Sequence, residues 1–324
     1  MAALPLLEAD AVEVTTLIDN QIDALLPGTE TIRRRPWGPR IVNPLIDAPE
    51  VATTMHAEHG FSALVKLNSG GDTHRLLFDA GVSPNGLIEN MDRLELSPKD
   101  VEAIVLSHGH FDHTGGLAGL VERMGRVNVP LLVHPQAYVQ RRAAPPGVAP
   151  TPLPAPSRSA LEGAGFEIID AIEPGLIFQD RLLVMGEVPR VTGFEQGFPF
   201  FQAQQPDGNW GPEPHLMDDQ GIVVNVRGKG LVVLTGCGHA GIVNIVRRAV
   251  ALTGVQRVYA ILGGFHLSGA FFDPILGPTV DALRGFAPDV VLPAHCTGYK
   301  AQMQIAQAMP EAYVHNAVGT TLLL

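Results

Sequence analysis

The feature that most constrains this chain is a run of four potential metal ligands within six residues, His108-Gly-His110-Phe-Asp112-His113. The run follows residues 101–107 (VEAIVLS), an apolar segment that predicts a buried strand. Imidazole and carboxylate groups are the ligands that Zn, Fe and Mn prefer. Without a cation, clustered histidines at a buried strand end would be costly. We therefore expect two metal ions here, with His108 and His110 on one and Asp112 and His113 on the other.

Paired cations of this kind suggest a reaction with water. Two metals a few ångströms apart can hold a hydroxide between them and bind the substrate oxygen. We expect that hydroxide to attack a carbonyl or phosphoryl centre, with Asp112 orienting the nucleophile or accepting its proton. Gly109, Gly115 and Gly116 let the backbone turn sharply around the ligands. The chain has neither a G-x-S-x-G motif nor a P-loop, so neither a serine nucleophile nor a nucleotide is needed.

Composition limits the class of protein. Of 324 residues 46% are hydrophobic, which allows a large core, and 22 basic against 33 acidic residues give a net charge of −11. That balance argues against nucleic-acid binding and leaves a small-molecule substrate. The two cysteines, Cys237 and Cys296, exclude a disulfide framework. With no signal peptide or membrane span recognisable, we expect a cytoplasmic protein. The oligomeric state stays open, with a homodimer as one possibility.

The order of elements predicts the architecture. Strand-like segments come in groups separated by helical segments, which favours two mixed β-sheets packed face to face with helices outside. We interpret residues 1–324 as a single domain with long loops at 19–60, 143–158 and 189–220. The loop at 143–158 contains six prolines. The other two contain aromatic and proline residues, so we expect them either to form an apolar wall of the substrate pocket or to pack on themselves.

Several motifs resemble those of one family. SHGHFDHTGGL, after an apolar strand, resembles the HxHxDH signature of the metallo-β-lactamase superfamily, and LLFDAG upstream resembles the strand that precedes it. GEVPR, TGCGHAGI, LGGFHL and PAHCTG are similar to a narrower branch of metallohydrolases, often labelled 7,8-dihydropterin-6-methyl-aminobenzene-phosphate synthase-like. The resemblance implies an α/β fold, a four-layer αββα sandwich, with the metals at one edge between the sheets.

The resemblance also implies further ligands. The superfamily usually supplies a third histidine to the first metal, a bridging Asp or Cys, and a last histidine to the second metal. His295 fits the last position, but the usual third histidine is missing. His239 or, as the second choice, Glu187 would replace it. Cys237 occupies the place of the bridging residue. It either binds metal as a thiolate or simply packs a turn. Cys296 should point the other way along its strand.

His266 ends a strand that we place between those leading to Cys237 and His295. Its imidazole is a candidate proton donor to a leaving group, with direct metal binding and a structural role as alternatives. We interpret His56, His59, His74 and His134 as structural, and for His59 we also expect a supporting contact with a metal ligand.

We predict a binuclear metallohydrolase with two divalent ions, Zn or else Mn or Fe, that acts on an ester, lactone or phosphoester. One alternative is the pterin-linked transferase of the branch label. It would need a basic pocket for a diphosphate, and Arg190 and residues 33–35 are the candidates. A second alternative is a non-catalytic metal-containing redox or sensor protein.

Overall fold

In this computed structural model, which describes residues 3–324, two large mixed β-sheets pack face to face. The first ten strands in chain order are β1 (Glu8–Ala9), β2 (Ala11–Ile18), β3 (Ile32–Arg34), β4 (Trp37–Ile41), β5 (Val51–Thr54), β6 (Ser62–Ser69), β7 (Asp72–Phe78), β8 (Ala103–Val105), β9 (Pro130–Val133) and β10 (Arg141–Ala143). The remaining strands are β11 (Thr151–Leu153), β12 (Glu167–Asp170), β13 (Gly175–Ile177), β14 (Leu182–Val184), β15 (Phe201–Gln204), β16 (Trp210–Pro212), β17 (Gly221–Val226), β18 (Gly230–Thr235), β19 (Val258–Gly264), β20 (Val290–Ala294) and β21 (Thr320–Leu323).

Within residues 3–324, seven α-helices accompany the strands. They are α1 (Gly86–Arg93), α2 (Phe111–Thr114), α3 (Leu117–Met124), α4 (Arg158–Gly163), α5 (Ile242–Thr253), α6 (Asp273–Phe286) and α7 (Tyr299–Ala308). Short 3₁₀ turns cover Pro98–Asp100, Pro135–Tyr138, Ala270–Phe272 and His295–Thr297. Among the residues described, no helix is both long and apolar enough to cross a lipid bilayer.

The first sheet has the strand order β12-β9-β8-β7-β6-β2-β21-β3, and the second has β13-β14-β17-β18-β19-β20, with β1 alongside β17. Alternate side chains of each sheet point into a shared core, including Val65 and Val105 from the first sheet and Val224 and Leu262 from the second. Because both faces of β17 are covered, all six of its residues are buried.

Helices cover the two outer faces. Leu87 and Met91 of α1 pack on the first sheet, while Ile245 of α5, Leu283 of α6 and Ile305 of α7 pack on the second. These contacts bury one apolar face of each helix, the usual driving force for docking an amphipathic helix on a sheet. The result is the predicted αββα sandwich, which is thereby confirmed.

The direction of a few strands positions the candidate site. Strands β7, β8 and β9 run parallel to one another in the first sheet, and β18, β19 and β20 run parallel in the second. Parallel strands end at a common edge, so the segments that follow them lie side by side. The segments that follow β8, β18, β19 and β20 hold the polar residues described below.

The three predicted loops are more regular than expected. The segment 19–60 includes β3, which joins the first sheet, and the β4–β5 hairpin. The segment 143–158 contributes β11, and 189–220 contributes β15 and β16. With β10, these form a small sheet of order β11-β10-β15-β16. These strands are only three to five residues long, and β3 and β15 also pair with strands far away in the sequence, so periodicity within each segment could not reveal them.

Candidate metal centre

The six-residue run lies at the end of β8. His108 and His110 occupy the turn after the strand, and Asp112 and His113 lie in α2, which begins directly behind it. All four side chains are buried. A turn followed at once by a helix therefore spreads the four groups over two neighbouring positions instead of aligning them along one strand.

The first group consists of His108, His110 and His239. One ring nitrogen from each lies within 4.8 Å of the others, and the ring centroids are 4.6 to 5.0 Å apart. His239 follows β18, so it reaches the group from the second sheet. The Nε2 atoms of all three rings are buried, and within residues 3–324 none has a hydrogen-bond partner.

The second group consists of Asp112, His113, Cys237 and His295, whose ligand atoms again lie within 4.8 Å of one another. The Asp112 Oδ2 atom is 3.3 Å from His295 Nε2 and 3.7 Å from His113 Nε2. The Cys237 Sγ atom is 3.1 Å from His113 Nε2. Three segments from two sheets therefore converge on this position.

Both groups fit a bound cation. Buried polar atoms are almost always paired, so several imidazole Nε2 atoms left without partners at one point mark a place where another group belongs. Imidazole, carboxylate and thiolate together form a donor set suited to Zn and similar divalent ions.

Burial lowers the pKa of His108 and His239 well below the usual value, with neighbouring histidines adding to the effect, and lowers the pKa of His110 to about 4. These imidazoles are therefore neutral, which is the form that binds metals. Burial alone would raise the pKa of Asp112, but His113 and His295 outweigh it and lower that pKa, so the carboxylate is ionised.

His113 differs from the histidines of the first group. Burial opposes its protonation, yet the nearby carboxylates of Asp79 and Asp112 outweigh burial and raise its pKa to about 9. A cation that bound His113 Nε2 would therefore displace a proton. Without a cation, the proton on His113 supplies the positive charge that a bound metal ion would supply in the second group.

Outer partners fix the orientation of three rings. His113 Nδ1 lies 2.7 Å from Asp79 Oδ2, His108 Nδ1 lies 2.9 Å from Ser107 Oγ, and His295 Nδ1 lies 3.1 Å from Asn20 Oδ1. Each contact occupies Nδ1 and leaves Nε2 facing the group, as is usual for metal-binding histidines.

Sequence reasoning missed these outer partners as site residues. Asp79 had a detectable signal, because it is a carboxylate at the end of an apolar strand next to β8 and stands in LLFDAG. It also accepts hydrogen bonds from the Ser107 backbone N–H and hydroxyl, both at 2.7 Å. Asn20 carried no comparable signal, because its contact with His295 spans most of the chain.

Two adjacent carboxylates before β17 hold the loops that carry the histidines. Asp218 accepts the Gly109 N–H at 2.9 Å and pairs with the buried Arg141, which also pairs with Glu213. Asp219 accepts the Ala240 N–H at 2.8 Å, and burial raises its pKa to about 6. These two aspartates therefore link the turn after β8 to the turn after β18.

The close approach of the two sheets at this edge requires a glycine. A Cβ atom added to Gly236 would lie 2.1 Å from Ser107 Oγ and 2.5 Å from Asp79 Oδ2. No side chain fits at that separation. Gly236 therefore allows the turn carrying Cys237 to reach the first sheet.

Cys237 belongs to two groups of ligand atoms, because its Sγ is also within 4.8 Å of His239 and His266. It is thus placed between the two histidine groups, where a bridging ligand was predicted. Burial raises the pKa of its thiol, so a thiolate there needs a cation beside it. The Cys296 thiol instead donates to the Cys237 carbonyl oxygen at 3.2 Å.

His266 lies against the first group, with its ring centroid 4.0 Å from that of His239. Its backbone φ is +44°, a conformation that non-glycine residues rarely adopt. The structure thus places His266 close enough for either of its predicted roles, ligand or proton donor.

The structure does not bring Glu187 to the centre. Its carboxylate lies 3.3 Å from His134 Nε2, its side chain is 40% exposed, and it belongs to none of the ligand groups found among the described residues. His59 is closer than expected for a structural histidine. Its Nε2 is 3.6 Å from Asp112 Oδ2, and its ring is 4.9 Å from that of His295.

Two cavities adjoin the centre. One, of about 430 Å³, lies over the ligand groups and is bordered by His110, Asp112 and His295 among others. The second, of about 300 Å³, extends under the segment 194–216, and both cavities are bordered by Phe201, His239 and His266. The segment 189–220 thus contributes to a pocket wall, one of the two alternatives left open by the sequence, whereas 19–60 contributes Asn20 and His59.

The fold and the ligand groups define a metal-binding protein of the αββα class. Residues 57–192, which include the six-residue run, match the family described as the metallo-beta-lactamase superfamily. An uncharacterized protein of Methanocaldococcus jannaschii is 35% identical over 261 residues, which are 80% of this chain and 91% of that relative. The chain belongs to the metallo-β-lactamase superfamily, as its motifs predicted.

Two further similarities extend over most of the chain. The 7,8-dihydropterin-6-methyl-4-(beta-D-ribofuranosyl)-aminobenzene-5'-phosphate synthase of Methanocaldococcus jannaschii is 29% identical over 266 residues, 81% of this chain and 89% of that enzyme. The crystal structure of a metal-dependent hydrolase of the beta-lactamase superfamily matches with a TM-score of 0.69 and 23% identity, covering 96% of this chain and 98% of the other. The latter similarity shows the fold.

Proposed function

We propose that this protein is a hydrolase that uses two divalent cations to add water to an ester, lactone or phosphoester of a small molecule. The observation that carries the proposal is the pair of buried ligand groups sharing one open cavity, with three imidazole Nε2 atoms left without partners among the described residues. Such a pair is the arrangement that two-metal hydrolysis needs.

His108, His110 and His239 would hold one cation, and Asp112, His113 and His295 the other, with Cys237 between them. When bound, the pair would lower the pKa of water and polarise the electrophilic oxygen of the substrate. Asp79 and Asn20 keep the rings of His113 and His295 turned so that Nε2 faces the cations. Asp112 Oδ2, which faces the cavity, would orient the attacking water.

The overall reaction is balanced by water alone. The water oxygen forms a bond to the acyl carbon or phosphorus, the bond from that atom to the leaving oxygen breaks, and one proton of the water ends on the leaving group. His266 borders both cavities next to His239 and is the residue we propose to pass that proton to the leaving oxygen.

A second candidate is the synthase reaction named for the methanogen relative, because that similarity extends over 81% of this chain. A phosphate-bearing substrate calls for a basic pocket. Among the described residues, no Lys or Arg borders either cavity next to the ligand groups. Arg190 donates to the Val188 and Leu216 carbonyls, and Arg34 and Arg35 bond to main-chain carbonyls. The hydrolase is therefore the better supported proposal.

The test combines metal analysis with an activity panel. Protein purified without chelator should contain about two divalent ions per chain, and Zn or Mn added to stripped protein should raise its melting temperature. The panel comprises lactones, aryl esters, phosphodiesters and pterin phosphates, each assayed with defined metals. His110→Ala should lose turnover and the ion of the first group, whereas His56→Ala, which removes a half-exposed imidazole elsewhere, should retain turnover and both ions.

Protein that binds no ion and is not stabilised by either metal would contradict the whole proposal. Two bound ions with turnover only of pterin phosphates would instead favour the synthase reaction.

A further inference from the structure

The second cavity has an unusual wall. We call it the aromatic cavity and define it by Phe194, Phe198, Phe201, Phe271 and Phe272. Its volume of about 300 Å³ equals that of roughly ten water molecules, so it can take a substrate group with a similar number of non-hydrogen atoms. Pockets of this size and composition usually bind an apolar part of a ligand.

The rings that form the wall are packed against one another. Phe198 makes edge-to-face contacts with Phe201 and Phe271, with centroids 4.9 and 5.2 Å apart. Phe271 and Phe272 are 5.1 Å apart at 88°. This geometry is the favourable one for aromatic pairs, so the wall keeps its shape without a ligand.

The aromatic cavity offers few partners for a charged ligand. Among the described residues, Glu195 is the one carboxylate that borders it, and both oxygens already accept backbone N–H groups, from Val243 and Asn244 at the start of α5. Within residues 3–324 no Lys or Arg borders the cavity, and its other polar side chains are Gln196 and, where it meets the first cavity, His239 and His266. A phosphate or free carboxylate placed among the phenylalanine rings would lose its hydration without gaining a Lys or Arg partner, which is costly.

The aromatic cavity also opens at the reacting centre. Phe201, His239 and His266 border both cavities, and the Phe201 ring lies 5.7 Å from that of His110 and 5.6 Å from that of His239. The part of a substrate that binds in the aromatic cavity would therefore lie directly next to the substrate atoms that react beside the ligand groups.

From these observations we infer that the substrate is an uncharged ester or lactone whose acyl part is an apolar chain or ring that binds in the aromatic cavity. This inference rests on the proposed hydrolase function and narrows its substrate class. Phe198, Phe272 and Ile275 then determine how long or wide the acyl group can be, since each borders the cavity without belonging to a ligand group.

The test measures how kcat/KM and, in a separate experiment, binding affinity depend on the length of the acyl chain. Aryl esters of acetic to decanoic acid are assayed with the Zn- or Mn-loaded protein. Burial of each methylene group is expected to raise kcat/KM roughly fourfold until the cavity is full. In parallel, the binding of neutral N-methylalkanamides of the same lengths is measured by calorimetry, which needs no turnover.

Three variants test whether the aromatic cavity determines the preferred acyl length. Ile275→Trp fills part of the cavity and should move the preferred acyl length to shorter chains, and Phe198→Ala enlarges the cavity and should move it to longer ones. Such opposite shifts cannot arise from partial unfolding. Phe286→Ala is the matched control, because it removes a partly buried ring at the end of α6, outside the cavity. It should leave the length profile unchanged.

The outcomes separate the two proposals. A flat length profile in an enzyme that hydrolyses the esters, or identical profiles in all variants, would overturn the inference while leaving the hydrolase intact. Length-dependent alkanamide binding that shifts in Ile275→Trp, in a protein that hydrolyses nothing, would refute the proposed function and support the cavity as an apolar binding site.

Discussion

The two ligand groups differ in charge although they lie side by side. The first group holds three neutral imidazoles, of His108, His110 and His239, whose pKa values burial has lowered. The second contains the ionised carboxylate of Asp112 and the imidazole of His113, whose pKa is raised to about 9. The difference arises because the carboxylates of Asp79 and Asp112 lie within 3.7 Å of the His113 ring and outweigh its burial, whereas burial outweighs the effect of Asp112 and Asp218 on His110.

This difference has a consequence for metal loading. A cation in the first group gains imidazole ligands but little charge compensation, whereas one in the second gains a carboxylate and displaces the proton on His113. We therefore expect the second group to account for most of the pH dependence of metal binding and the first to bind metal with little proton release.

The largest effect should follow from removing the charge of the second group. Asp112→Asn keeps the size of the side chain but removes the charge that compensates the cation. We expect the metal content to fall to about one ion per chain and kcat/KM to drop by more than about 100-fold. This loss exceeds the one expected when only a residue that orients a metal ligand is removed. Metal analysis and kinetics on the same preparation measure both.

The matched variant in the first group is His110→Ala. If the groups are independent, it should also retain one ion, but the retained ion should then be bound by the second group. Loss of both ions in both variants would show that the two groups act as one site and would contradict the difference that we infer between them.

An intermediate effect is expected for Asp79→Asn. The amide keeps a contact with Ser107 but is a weaker acceptor for the His113 Nδ1–H, so the ring is held less firmly and its Nε2 becomes a weaker ligand. The second group should therefore lose affinity while the first is preserved. Removal of such an outer carboxylate typically costs about 10- to 100-fold in metal affinity or activity. Metal titration should show one weakened and one unchanged binding step. Equal weakening of both steps would place Asp79 in a general structural role.

The smallest effect is expected for Glu187→Gln. Because this partly exposed carboxylate contacts His134 and neither group, its loss should change kcat/KM by less than about twofold and stability by no more than about 0.5 kcal/mol. Metal content and melting temperature provide the measurement. A clear loss of one ion would mean that Glu187 moves to the centre when metal binds.

The fold and the central motif could both be predicted from the sequence. Residues 101–107 predicted a strand from their apolar character, and the histidines directly after it had to lie at the end of that strand. His239, His266 and His295 could be placed by the same argument, since each follows a buried strand. In every case the information was local, within a few residues of the strand end.

Other features depended on contacts across the fold. Asn20 orients His295 across an interval of 275 residues, and Asp218 holds Gly109 across an interval of 109. The small sheet that carries Phe201 to the centre pairs β10 with both β11 and β15. Pairing and side-chain hydrogen bonds of this kind leave no periodic pattern in either segment, so sequence reasoning had no means of finding them.

By itself the sequence determined which chemical groups are available and that they follow apolar strands, because strand burial and ligand identity are properties of short segments. Only the tertiary structure decided which outer residues orient these groups, and that an aromatic cavity opens beside them. These features arise where the parallel strands of two different sheets end at a common edge, and only the packing of the sheets fixes which ends meet.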